Sequence, residues 1–140
     1  MQIAFIVLSI ILFIFTVYIG FQVAHATGKL AVTTADYWKM NAAAIVVAVI
    51  VSAVIAPWPL LYSAVIGLLA GYIVGLKMVF GESTGPWKAH DAAFNVNRSH
   101  RETAKRGGGE ERRARRRAGV SAPDMISVTD SKHNAKRNAR

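Results

Sequence analysis

The residues able to do chemistry are few and scattered. The four histidines are His25, His90, His100 and His133. No two of them stand at i, i+4 or in an H-E-x-x-H pattern, the spacings that place metal ligands on one helix face. There is no cysteine, so thiolate nucleophiles, disulfides and Cys-ligated metals are excluded; the redox compartment stays open. Gly107-Gly108-Gly109 lacks the Lys-Ser/Thr that would make it a phosphate-binding loop. The apolar stretches hold no Asp or Glu, and so no carboxylate for an intramembrane proton relay. Lys77, near the end of such a stretch, reads as an anchor that snorkels to the headgroups. These residues make no nucleophile–base pair and no metal set. The expectation is a protein that is not an enzyme, with no cofactor, no metal and no small-molecule substrate.

The densest charge is the run Arg112, Arg113, Arg115, Arg116 and Arg117. Its plainest reading is a solvated determinant of topology. As a contact it suits anionic lipid, where each Lys or Arg is worth about 1 kcal/mol near the surface, then an acidic protein partner. Nucleic acid ranks last, because no aromatic side chains interleave with the arginines to stack bases.

These groups must be positioned by a chain of segregated composition. Hydrophobic residues make up 53% of 140. From Met1 to Gly28, and again from Met40 to Leu76, there is no Asp, Glu, Lys or Arg. Residues 81–140 carry 14 Lys+Arg against 7 Asp+Glu, a net +7. The pattern predicts an all-α integral membrane protein: a three-span domain over 1–80, with spans about 3–24, 38–56 and 60–80, then a basic tail over 81–140. The tail has too little apolar surface to offset the entropy of ordering and is expected to be largely disordered, with room for a short helix within 87–106 and good helix formers over Glu110–Ala118, where Glu111 stands four before Arg115.

Residues 3–24 exceed the ~20 apolar residues needed to cross the hydrocarbon core. Ala24-His25-Ala26 has the form of a signal-peptide cleavage site, but no Lys or Arg precedes the apolar run, and the run outlasts a typical ~7–15-residue signal core. Retention of 1–26 is therefore expected. Thr34 or Asp36 is a candidate cap for the second span, and Tyr37, Trp38 and Trp58 suit headgroup depth. Pro57-Trp58-Pro59 stops the second span, since proline lacks an amide donor and disfavours helical geometry before it.

Small residues recur every four positions on both sides of that break: Ala44, Ala48, Ser52 and Ala56 before it, Ser63, Gly67, Gly71 and Gly75 after it. Each set forms one face of a helix, and such faces let backbones approach closely in lipid. The expectation is a hairpin in which spans two and three pack stripe to stripe; self-association through the glycines is the competing reading. Thr16, Gly20, Ala24 and Gly28 form a weaker stripe at the end of the first span.

All 17 Lys and Arg fall within 29–39 or 77–140. Three spans put these two regions on one side, and the positive-inside rule makes that side cytoplasmic. The reading is a multi-pass protein of a bacterial cell membrane, N-terminus outside and tail inside. Small spans followed by a densely basic tail resemble phage holins in outline. The stretch Gly67…Gly71-Tyr72…Gly75…Phe80-Gly81…Gly85-Pro86-Trp87 is loosely similar to the glycine-rich segment of ATP-synthase protein I-type membrane proteins. It departs from them where a polar tail replaces a further span. The expected role is an accessory or anchoring protein that assembles with a larger membrane complex, its tail on anionic lipid or an acidic partner. The alternative is a self-assembling, holin-like pore former.

Overall fold

The structure, a computed structural model, describes residues 2–119. Its elements are helices α1 (Gln2–Thr27), α2 (Thr34–Val54), α3 (Leu61–Phe80), α4 (Pro86–Ala93), α5 (Arg98–Arg106) and α6 (Gly109–Arg117), with a 3₁₀ turn at Gly28–Leu30. No strand occurs among the described residues. Three helical segments, Gln2–Leu30, Thr34–Val54 and Leu61–Phe80, are long and apolar enough to cross a bilayer. Each lies close to its expected span.

Local chemistry fixes the ends. Thr33, one residue before the candidates named from sequence, caps α2: its hydroxyl accepts from the Asp36 amide at 3.1 Å, and the Asp36 carboxylate accepts from the Thr33 amide at 3.0 Å. This reciprocal box satisfies two donors that a helix start leaves open. α2 ends before Pro57, with the Ile55 amide bonded to the Val51 carbonyl. Gly81 closes α3 in the left-handed region at φ 70°, where glycine has no Cβ to clash.

The tertiary pairing departs from the expected hairpin. α3 packs chiefly on α1 and touches α2 much less. The glycine face of α3 meets the first-span stripe that looked weaker in sequence. A Cβ built on Gly67 would lie 2.6 Å from the Phe13 carbonyl oxygen, and one on Gly75 would lie 2.8 Å from the Ala24 Cβ. From the other side, a Cβ on Gly20 would lie 2.9 Å from the Tyr72 amide nitrogen. The paired positions rise together along both helices, so α1 and α3 run parallel. Gly67, Gly71 and Gly75 are buried, as are Thr16, Gly20 and Ala24. Ala44, Ala48, Ser52 and Ser63 are only half-buried, and Ala56 is exposed. Without a hydrophobic drive between helices in lipid, closeness of backbones decides the pairing. Two stripes containing glycine approach more closely than one of glycine and one of alanine.

The second departure is in the tail. Residues 81–119, expected to be largely without structure, form α4, α5 and α6, which cap the end of the bundle where α3 terminates. Residues 120–140 of that expected tail lie outside the described residues.

Candidate functional site

The cap is built around two buried charges, Asp91 on α4 and Arg113 on α6, which are 0% and 2% exposed. Pro86 starts α4, where its missing amide costs no helical bond. One turn further, α4 presents Asp91 to the end of α3. Lys77 Nζ donates to Asp91 Oδ1 at 2.7 Å, Asn97 Nδ2 to the same oxygen at 3.0 Å, and Ser83 Oγ to Oδ2 at 2.6 Å. His90 Nδ1 stands 3.3 Å from Oδ1. Burial alone would raise the Asp91 carboxyl. The bonds from Lys77, Ser83, Asn97 and His90 outweigh it and hold the group well below the usual carboxylate range.

Lys77 is therefore not the snorkelling anchor expected from sequence. It is 5% exposed, ion-paired to Asp91, and sits 4.3 Å from the centre of the Trp87 ring. The Trp87 indole N–H donates to the Tyr37 hydroxyl at 2.9 Å, which ties α4 to the start of α2. Tyr37 in turn packs on Phe80, ring centres 4.9 Å apart.

Arg113 closes the other side. Its Nε donates to the Val32 carbonyl at 2.6 Å and its Nη1 to the Phe80 carbonyl at 3.4 Å. The same Nη1 pairs with Glu82 at 2.9 Å, and the guanidinium lies 3.8 Å over the Phe80 ring. One side chain thus joins the α1–α2 connection, the end of α3 and the cap. This corrects the reading of the arginine run as one exposed unit. Arg113 is internal, whereas Arg112, Arg115, Arg116 and Arg117 are exposed. Arg115 pairs with Glu111 one turn away and Arg116 donates to the Val79 carbonyl.

The histidines are not brought together. His25 rests on Phe21, and His90 lies between Trp87 and Phe94. His100 buries an Nδ1 that has no hydrogen-bond partner among the described residues. Burial, reinforced by the charge of Lys77, pushes the His100 imidazole below its ordinary value. His133 lies outside the described residues. Among the described residues no three His, Asp or Glu side chains group as metal ligands.

Within the spans, α2 stands off from α1 and α3 and leaves a lateral groove of about 560 Å³. Ala44, Val47 and Ala48 line one wall, Thr16 and Val23 of α1 and Val65, Leu68 and Tyr72 of α3 the other. Sequence reasoning missed both the Asp91–Lys77 pair and the groove. The signal for the pair was present: a lone lysine closing a charge-free span, then an aspartate fourteen residues on.

No protein-family model matches the chain, and no curated protein or solved structure is detectably similar to it.

Proposed function

We propose that this chain is a small, non-enzymatic accessory protein of a bacterial cell membrane that assembles with a larger membrane complex. Its N-terminus lies outside and its cap inside, in line with the distribution of Lys and Arg. The observation that carries the proposal is the groove beside α2. The glycine face of α3 is used within the chain, against α1, while the alanine face of α2 is left half-covered and open to the side. A face of small residues next to an apolar groove suits a partner's transmembrane helix, because small residues allow close approach in lipid. The exposed Arg112, Arg115, Arg116 and Arg117 supply the contact to anionic lipid or an acidic partner. A holin-like pore is the weaker reading, since the glycines that would join copies already face α1. Retention of residues 1–26 follows the same logic: without α1 the glycine face of α3 would have no partner.

The test places a photo-crosslinking amino acid at Val47, which lines the groove, and in a second variant at Val49, which is as exposed but does not line it. Expression should leave the membrane potential intact, and irradiation should give a defined adduct with a different protein from Val47. A ladder of self-adducts with a collapsed potential would instead establish the pore former. A reporter fused after Arg140 should be active only as a cytoplasmic reporter; activity outside would overturn the orientation.

A further inference from the structure

A second recess lies in the cap, between α4 and α5, with a volume of about 290 Å³. Ser83, Lys88, Ala92, Arg101, Ala104 and Lys105 line it. Lys88 and Ala92 are one turn apart on α4; Arg101, Ala104 and Lys105 share one face of α5. The two alanines leave the hollow and the three cations surround it. No acidic residue lines it.

Lys88 and Lys105 are exposed and Arg101 is half-buried, so the three cations repel one another modestly without a counter-ion. Arg101 and Lys105 are like charges at i, i+4, a spacing that destabilises a helix. The nearby acids are engaged elsewhere: the Asp91 carboxylate is bound by Lys77, Ser83 and Asn97, and Glu102 faces Arg106 at 3.8 Å. Arg101 is also held in place. Its Nη1 donates to the Asp91 backbone carbonyl at 3.4 Å and to Asn95 Oδ1 at 3.3 Å. The turn that supplies Asn95 keeps Asn95 and Asn97 at φ 50° and 49°, an uncommon conformation that folds α5 back on α4. A fixed guanidinium beside two ammonium groups in a small hollow matches the charge and hydrogen-bonding needs of a phosphate.

We infer that this recess binds a phosphate group, carried by an anionic lipid headgroup or present free in solution. Ser83 follows the end of α3 by three residues, which sets the recess at headgroup depth for a spanning α3. The inference deepens the lipid contact proposed above and rests on it: beside the diffuse contact of the exposed arginine run it adds a defined phosphate site at Lys88, Arg101 and Lys105.

The test uses the full chain in nanodiscs of phosphatidylcholine, with or without phosphatidic acid, and counts retained lipid by native mass spectrometry. Inorganic phosphate is titrated into the phosphatidylcholine discs and followed by ³¹P line broadening. Lys88→Gln/Lys105→Gln, which leaves the Arg101 bonds intact, is compared with Arg112→Gln/Arg117→Gln, which removes the same charge from outside the recess. The recess variant should lose phosphatidic acid affinity by about tenfold or more, and the other variant clearly less. Broadening by inorganic phosphate that the recess variant abolishes assigns the site to free phosphate; retention of phosphatidic acid alone assigns it to the headgroup. Equal losses in both variants would overturn the recess while leaving a diffuse lipid contact. Indifference of the unsubstituted protein to both probes would overturn both.

Discussion

Gly71 of α3 lies against the main chain of Val17 of α1: a Cβ built on Gly71 would stand 2.8 Å from the Val17 carbonyl carbon. The obstacle is backbone, which cannot rotate aside as a side chain can. Gly71→Ile should therefore separate α1 from α3 while the helix still inserts, because Ile is favourable in the bilayer core. Overpacking of this kind costs about 1–3 kcal/mol, more where nothing yields. Cysteines at Gly28 and Val79 report the pairing, since a Cβ built on Gly28 lies 3.2 Å from the Val79 Cβ, near disulfide range. Gly71→Ile should abolish that crosslink and Val74→Ile, at an exposed position, should preserve it.

Asp91→Asn removes the charge that balances buried Lys77. Breaking one side of a buried pair costs as much as about 3–5 kcal/mol, because the remaining charge is stranded. The cap should open, seen as rapid tryptic cleavage after Lys88 and Lys105 in a chain resistant before substitution. Lys77→Met combined with Asp91→Leu should recover much of that resistance, since apolar replacement of both partners avoids the stranded charge.

Acid should loosen the cap in two stages. His100 is held neutral, its folded value depressed by burial, so its contribution is whole above its unfolded value of about 6.5 and declines as pH falls through the folded value. Asp91 is likewise depressed, by its hydrogen bonds. Its contribution is whole above about pH 4 and is lost at lower pH still. Amide-exchange protection across residues 81–119, each rate taken relative to that of the unfolded chain at the same pH, should fall first below about pH 6.5 and again below about pH 4. His100→Gln should remove the first stage only.

Arg113→Lys should behave unlike any change at Arg117. Lysine keeps the charge but cannot form a planar fork that reaches the Val32 carbonyl, the Phe80 carbonyl and Glu82 together. Arg113→Lys should lower the thermal unfolding midpoint of the cap by several degrees, while Arg117→Gln leaves it unchanged.

The three apolar helices were legible because a bilayer demands length and hydrophobicity, and both are written into consecutive residues. The stripes of small residues were legible too, from their four-residue spacing. Their pairing was not. A tight turn at Pro57–Pro59 makes α2 and α3 neighbours in sequence, yet backbone approach favoured the Gly20 and Ala24 face of α1 over the Ala44 and Ala48 face of α2. The cap was hidden for a different reason. Composition signals order through apolar surface, and α4, α5 and α6 have little of it. They are held by Asp91 and Arg113, and the Arg113–Val32 bond joins residues 81 positions apart. No local pattern announces such a bond.

The parallel pairing of α1 with α3 also separates the order of synthesis from the order of assembly. α1 and α2 leave the ribosome first, yet they have little to hold each other. The small-residue face of α1 must wait, bare to lipid, until α3 has been made and delivered beside it. A chain halted after Pro59 would present that waiting face to the machinery that inserts and inspects membrane proteins, and the cap could not begin to form. The α1–α3 contact thus cannot close before the third helix arrives, and the bonds of Asp91 and Arg113 can only follow it.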